Sequence, residues 1–87
     1  MSSTLPKLCD AAKALVAWRE FTGLSQRKFA EYIGISPQMQ SFLENGSREA
    51  GLEVAVRIQT KSAEFALQNS AQIQEAGLKL PIRCEDW

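Results

Sequence analysis

The sequence predicts a single all-α domain of four to five helices, followed by a short extended C-terminal tail. Over most of the chain, apolar residues recur at spacings of three and four, whereas the alternation typical of β-strands is nearly absent. Glycines and serines separate these periodic stretches at positions suited to the ends and starts of helices. A chain of 87 residues has room for only one hydrophobic core. Residues 1–61 are therefore expected to form the body of the domain, and residues 62–87 a C-terminal helix and tail of the same domain.

The first predicted helix runs from about Lys7 to Phe21. Its apolar residues lie three and four apart, which places them along one side of a helix and predicts that this side is buried. Gly23 follows as a C-cap glycine, because a residue without a Cβ readily adopts the left-handed conformation that ends many helices. The apolar stripe comprises Leu8, Ala11, Ala12, Leu15 and Trp18.

A second, shorter helix is predicted from about Gln26 to Ile33. Ser25 is suited to cap it, because its hydroxyl can accept a hydrogen bond from a backbone N–H of the first turn. Gly34 supplies the turn that follows. The residues predicted to face inward are Phe29, Ala30 and Ile33.

A third helix is predicted directly after this turn. Ser36 caps it, and Pro37 is tolerated in its first turn because the N–H that proline lacks would have no helical partner there. The helix is expected to end near Glu44, where Asn45 and Gly46 can adopt left-handed dihedrals. Two helices joined by a glycine turn make a helix-turn-helix unit.

The remaining chain predicts two more helical segments and the tail. A fourth helix is expected over about Leu52 to Ser62 and a fifth over residues 63–77, which Gly77 stops. Pro81 limits the stretch "LKLPI" to an edge strand or an extended tail, because proline has no N–H for a β-ladder. The fourth helix is expected to present Leu52, Ala55, Val56 and Ile58 as its apolar side.

The composition argues against several classes of function. Ten basic residues balance ten acidic ones, so the chain has no overall positive field to hold a polyanion, which counts mildly against nucleic-acid binding. The chain has no histidine, and Cys9 and Cys84 lie far apart without Cys-x-x-Cys spacing. We therefore expect no metal site, no cofactor and no enzymatic activity. With no membrane-spanning apolar run and no signal sequence after Met1, we expect a soluble cytoplasmic protein with reduced thiols.

Two stretches carry a resemblance to a known family. The stretch "GLSQRKFAEYIGIS", and "LENG" followed by a basic loop, resemble the Cro-and-repressor class of phage and bacterial helix-turn-helix proteins, the Xre-like family. The resemblance covers residues 15–58 without gaps, about half of the chain. It implies a lambda-repressor-like fold and a sequence-specific DNA-binding transcriptional regulator. A phage or prophage repressor that binds a pseudo-palindromic operator as a homodimer is the expected type.

The resemblance also implies roles for individual residues. The family reads base edges with the outward side of the third helix, where a glutamine suits adenine because its amide donates and accepts together. Phosphates are held at the start of the second helix, where the helix dipole assists, and by the loop after the third. Base reading falls on Pro37, Gln38, Ser41 and Phe42. Phosphate contact falls on Gln26, Arg27, Lys28, Asn45, Ser47 and Arg48.

A structural ion pair is implied as well. Arg19, near the end of the first helix, and Glu44, at the end of the third, lie where this family often keeps an Arg–Glu pair across the domain. A bidentate pair at these positions would link two helices at the edge of the core. The alternative is that the two residues are unrelated surface charges.

Two positions in the third helix depart from the family's pattern. Gln40 lies where valine or isoleucine is usually buried, and burying an unpaired amide costs about 1–3 kcal/mol. Gln40 therefore needs a partner, or the helix must rotate so that Met39, Phe42 and Leu43 face the core. Phe42 lies where a polar or basic side chain is common; if exposed, it can contact thymine methyl groups or a partner protein.

The C-terminal segment is the predicted dimerisation element. One such domain contacts about half of an operator, so a two-fold homodimer would bind half-sites about 34 Å apart on double-stranded DNA. The alternative is that this segment folds back onto its own core. The residues assigned to the dimer contact are Leu78, Leu80, Ile82 and Trp87.

Two alternative functions use the same scaffold. The antitoxin of a toxin–antitoxin pair would bind both its operator and a toxin. An antirepressor that has lost its affinity for DNA would instead bind a protein partner, such as a repressor, through Met39 and Phe42. Added salt distinguishes the repressor from the antirepressor, because DNA binding weakens steeply with salt whereas an apolar protein contact does not. A toxin-like open reading frame beside the gene would favour the antitoxin.

Overall fold

The computed structural model describes residues 9–48 and 50–87, and within them the fold is all-α, as predicted. No β-strand occurs in these two ranges. Lys7 and Leu8, the start predicted for the first helix, lie outside the described residues. Cys9, predicted to be helical, is instead the extended N-cap, so the helix begins at Asp10, later than predicted. The helices are α1 (Asp10–Thr22), α2 (Gln26–Ile33), α3 (Pro37–Asn45), α4 (Leu52–Gln68) and α5 (Ser70–Ala76), and a 3-10 helix spans Cys84–Asp86.

The predicted caps lie at the starts of α2 and α3 and in the turn between these two helices. The hydroxyl of Ser25 accepts a hydrogen bond from the backbone N–H of Lys28 at 3.2 Å, and α2 has the bounds that the sequence predicts. The hydroxyl of Ser36 accepts one from the N–H of Met39 at 3.1 Å, so the first turn of α3 is closed in the same way. Gly34 has a φ of 97°, a left-handed value that side chains strongly disfavour, and it allows α3 to begin with only three residues between it and α2.

The core is built around Trp18 of α1, which is fully buried against α2 and α4. Its ring centroid lies 4.7 Å from that of Phe29 in an edge-to-face arrangement and 5.7 Å from that of Phe65. The four described members of the predicted α1 stripe, and the three inward residues predicted for α2, are all buried, which confirms both patterns. The central cluster comprises Ala11, Leu15, Trp18, Phe29, Ile33, Leu43, Ile58 and Ile82.

The fourth helix is longer than predicted. It continues past Ser62 to Gln68, so the first part of the predicted fifth helix belongs to α4, and Asn69, with non-helical dihedrals, separates it from α5. Its predicted apolar side was also partly wrong. Ala55 and Ile58 are buried, but Leu52 is 79% and Val56 46% exposed, because these two residues share a direction turned away from the buried side.

The tail packs onto the core of its own chain and forms no edge strand. Ile82 is only 1% exposed, and its N–H donates to the hydroxyl of Ser62 at 2.9 Å. Leu80 and Trp87 are partly buried against the same cluster. The fold thus follows the alternative in which this segment folds back on the domain. Contact of Leu78, Leu80, Ile82 and Trp87 with a second copy stays a prediction.

The tail's attachment can be tested at Ser62. Its side chain is fully buried and accepts from the N–H of Ile82, so Ser62→Ala leaves that buried N–H without a partner. We expect the free energy of unfolding, measured by urea denaturation, to fall by about 1–3 kcal/mol. Ser70→Ala is the matched control, because Ser70 is exposed, and it should change the value by less than about 0.5 kcal/mol. Equal losses would contradict the docking of the tail through Ser62.

Candidate nucleic-acid interface

The outward side of α3 carries the residues predicted to read bases. Pro37 and Gln38 are exposed, and Ser41 and Phe42 are half-buried. Because Gln38, Ser41 and Phe42 are three and four residues apart, they lie on one side of the helix. The inward side of α3 carries the buried residues Gln40, Leu43 and Glu44. The helix therefore has not rotated to bury its apolar stripe, and the structure brings the four predicted reading residues together outside the core.

The residues predicted to hold phosphates lie at the two ends of the α2–α3 unit. Arg27 and Lys28 are exposed in the first turn of α2, whereas Gln26 beside them is half-buried. After α3, the side chain of Asn45 turns back and accepts a hydrogen bond from the N–H of Ser47 at 2.8 Å. Asn45 thus orders the loop that would grip the backbone, and Ser47 and Arg48 are exposed on it.

Arg48 also contacts α3. Its guanidinium carbon lies 5.1 Å from the centroid of the Phe42 ring, within the range of a cation–π contact. This contact joins an apolar side chain on the outward side of α3 to a cation of the loop that follows the helix. The sequence does not predict this contact, because the two residues are six positions apart and meet only after α3 has ended.

A bidentate ion pair ties α3 to α1. The Nε of Arg19 donates to Oε2 of Glu44 at 2.6 Å, and its Nη2 donates to Oε1 at 3.0 Å. The third guanidinium nitrogen, Nη1, donates to the backbone carbonyl of Leu24 at 3.2 Å. Glu44 is 9% exposed, so the pair is largely removed from water and fixes the C-terminal end of α3 against α1.

Two glutamines complete the surroundings of the Glu44 carboxylate. Gln40, which is fully buried, donates its amide Nε2–H to Oε2 at 2.7 Å, and Gln26 donates to Oε1 at 3.0 Å. Each carboxylate oxygen therefore accepts two hydrogen bonds. Gln40 finds the partner that its buried position requires, although its own carbonyl oxygen has no hydrogen-bond partner among the described residues.

The network favours the charged form of Glu44. Burial acts to raise the pKa of this carboxyl, but the hydrogen bonds from Arg19, Gln40 and Gln26 outweigh it and leave the pKa below the ordinary value of 4.5. The hydrogen bond to Glu44 likewise raises the pKa of Arg19. Because folding lowers the pKa of Glu44, the stability that the network contributes is present above the ordinary pKa and is lost as the pH falls through the lowered one.

Comparison with known families identifies the class of protein. A family model described as helix-turn-helix, of the Cro and C1 type, matches residues 17–60, which is half of the chain. The matched range begins within α1 and ends within α4, so it includes both Arg19 and Glu44 and the whole of α2 and α3. This chain belongs to the helix-turn-helix family. Neither the curated proteins nor the solved structures contain a significant match to it.

The helix-turn-helix unit has one feature that was not predicted from the sequence. The amide of Gln26, assigned to a phosphate, donates one N–H to Glu44, which leaves its second N–H and its carbonyl oxygen for a ligand. The same carboxylate binds Gln40, and here a signal was available, because residues four apart on a helix are neighbours. The contact with Gln26 had no such signal, since eighteen positions separate it from Glu44.

Other kinds of site are not found in this helix-turn-helix protein as far as the structure describes it. Residues 9–48 and 50–87 contain no group of histidine, cysteine and acidic residues that would hold a metal ion. In the same ranges, no helix combines the length and the apolar character that crossing a bilayer requires. Cys9 and Cys84 are both free thiols.

The importance of the ion pair for the helix-turn-helix fold can be tested with Arg19→Ala. This variant leaves a buried carboxylate without its cation, so we expect the free energy of unfolding at neutral pH to fall by about 3 kcal/mol in urea denaturation. Arg27→Ala is the matched control. Arg27 pairs with Glu31 at 4.0 Å on the exposed side of α2, and removing that pair should cost less than about 0.5 kcal/mol. A loss no larger for Arg19 than for Arg27 would show that the pair is only a surface contact.

Proposed function

We propose that this protein is a sequence-specific transcriptional repressor of phage or prophage type, which inserts α3 into the major groove of its operator. The family match supports DNA binding and transcription regulation in general. The observation that carries the specific proposal is the two-sided character of α3. Its inner side is fixed by Glu44 and Gln40, and its outer side presents Gln38, Ser41 and Phe42 together.

Base recognition is assigned to the exposed side of α3. The amide of Gln38 is free of hydrogen bonds to the described residues, so it can donate to N7 and accept from N6 of one adenine. Ser41, one turn further along, can donate or accept. The ring of Phe42 offers an apolar surface to a thymine methyl group. Pro37 lies at the N-terminal end of α3, and this end of the helix enters the groove first.

The helix-turn-helix unit carries unpaired positive charge, although the total charge of the chain is zero. Between Ser25 and Arg48 the acidic residues are Glu31 and Glu44, and both are paired with arginines. Lys28 and Arg48 make no ion pair with any described residue, and the positive end of the α2 dipole lies beside Gln26. Because only the docking face must be positive, a polyanion can be held without a basic protein.

A homodimer on a pseudo-palindromic operator belongs to the same proposal. One helix-turn-helix unit reads about half of such a site, and two units related by a two-fold axis would read half-sites about 34 Å apart. Repression would follow from occlusion of a promoter that overlaps the operator. An antirepressor that binds protein through Met39 and Phe42 has less support, because Met39 packs against the core and Phe42 is in contact with Arg48.

The two groups of contacts should respond differently to mutation. Gln38→Ala removes a bidentate base contact, so the preference for one base pair should fall about 5- to 100-fold while binding to unrelated DNA is unchanged. Arg48→Ala should weaken binding to all sequences alike and reduce the salt slope by about one. Mobility shifts on the upstream region of the gene, repeated at several salt concentrations, measure both quantities. If neither variant alters binding to any duplex, α3 is not the reader.

The assignment of Phe42 to a thymine methyl group can be tested on the DNA. Replacing single thymines by uracils in a bound operator removes one methyl group at a time. Each half-site should contain one thymine whose single replacement weakens wild-type binding about fourfold. Phe42→Ala should bind the thymine and uracil duplexes equally. Gln38→Ala is the control variant and should keep the difference. An operator in which no uracil weakens wild-type binding would contradict a thymine contact.

A further inference from the structure

The α4 helix has a second apolar stripe that faces solvent. Leu52 and Leu67, near its two ends, are 79% and 83% exposed, Val56 between them is 46% exposed, and Ala63 is half-buried. At 3.6 residues per turn these four side chains fall within about 60° around the helix axis. The stripe is roughly 120° away from the direction in which Ala55, Ile58 and Ser62 are buried, so it takes no part in the core.

The stripe runs along nearly the whole of α4. Over 17 residues the helix is about 25 Å long, and apolar side chains lie on this side in its first, second, fourth and last turns. The third turn carries the exposed polar residues Gln59 and Thr60. Single exposed apolar residues are ordinary on a protein surface, but an aligned row on one helix marks a contact surface. The order of large and small side chains along the row indicates which kind of partner fits it.

We propose that α4 is a homodimerisation surface, on which a second copy of this chain packs its own α4 antiparallel across a two-fold axis. With the axis between Gln59 and Thr60, Leu52 of each copy lies opposite Leu67 of the other, and Val56 lies opposite Ala63. The large side chains then meet at the two ends, and the smaller ones meet near the axis, where two helices approach most closely. A row that matches itself when reversed is what an isologous contact requires.

The charges beside the row fit the same partner. Arg57 and Glu64 lie on one flank of the row, and in an antiparallel pair the same flanks of the two helices face each other. Arg57 of one copy is then close to Glu64 of the second copy, and the contact occurs twice. Among the described residues, the one ion pair of Arg57 is a long, exposed contact of 3.7 Å with Glu53, and Glu64 makes no ion pair.

This surface replaces the tail as the dimer contact of the proposed function. Ile82 is buried in the core of its own chain, whereas Leu52 and Leu67 are exposed and take no part in that core. The inference rests on α4 alone and is tested without DNA. Failure of DNA binding would leave it standing, and a monomeric protein would leave recognition by α3 standing.

The main experiment is sedimentation equilibrium of the full chain in the absence of DNA. Wild type should be a reversible dimer, and Val56→Glu should raise its dissociation constant at least tenfold, because it places a charge beside Ala63 of the second copy. Val56 is exposed in the single chain, so circular dichroism and the thermal midpoint should show that the variant still folds. A wild type that is monomeric at millimolar concentration, or a dimer unaffected by Val56→Glu, would overturn the proposal.

Charge reversal tests the antiparallel arrangement. Arg57→Glu and Glu64→Arg should each weaken the dimer several-fold, and the double variant should restore it, because it rebuilds the two contacts with the signs exchanged. The matched control is the pair Arg27→Glu and Glu31→Arg on α2, which should leave dimerisation unchanged singly and together. Weakening by both single variants without recovery in the double variant would overturn this arrangement.

A cross-link gives an independent measure of the position of the axis. In a chain with Cys9→Ser and Cys84→Ser, Thr60→Cys places a thiol next to the two-fold axis and should form a disulfide-linked dimer under mild oxidation. Ser70→Cys is the control, because Ser70 is exposed on α5 outside the row, and it should stay monomeric on a denaturing gel. Equal cross-linking at both positions would contradict an axis near Thr60.

Discussion

The carboxylate of Glu44 is the constraint on which the helix-turn-helix unit depends. A charge so removed from water is costly unless it is paired and hydrogen-bonded, and Glu44 accepts four hydrogen bonds. Their donors lie on three helices: Arg19 on α1, Gln26 at the start of α2, and Gln40 on α3 itself. One side chain thus links α3 to the other two helices, beside the apolar packing of the buried Leu43. Since the outer side of α3 follows from the direction of its inner side, the same carboxylate also helps to determine which residues of α3 face outward.

Gln40 fills a buried position on the inner side of α3 where the resemblance to the Xre-like family led us to expect valine or isoleucine. An aliphatic side chain at this position would pack against the core and leave Glu44 with donors from Arg19 and Gln26 only. Gln40 adds a fourth donor, but its carbonyl oxygen stays buried without a described partner, so part of the gain is offset. The net result is an inner side of α3 that is more polar and more directional than an apolar one. Directional contacts restrict how far the helix can turn or slide, which keeps Gln38 and Phe42 in fixed relative positions.

The sequence predicts α1, α2 and α3 well because their signals are local. Ser25 and Ser36 cap their own helices, and Gly34 serves the turn in which it lies, so no distant contact is needed to foresee them. The outward direction of Gln38 follows from helical periodicity in the same way. The later part of the chain depends on tertiary contacts instead. Ile82 is buried because its N–H meets a hydroxyl twenty positions earlier, and the contacts of Gln26 with Glu44 and of Arg48 with Phe42 likewise appear only in the folded chain.

The division of α3 into a fixed side and a free side has a consequence for how such a protein evolves. Substitutions at the outer positions leave the inner contacts untouched, so new binding preferences can arise through point mutations without loss of the fold. A single-residue insertion before Glu44 would turn that carboxylate by about 100° and carry it away from Arg19. We infer that this helix tolerates exchange of side chains but not changes of length. Related proteins should therefore differ in the residues at the outer positions of α3 and keep the number of residues between Arg19 and Glu44.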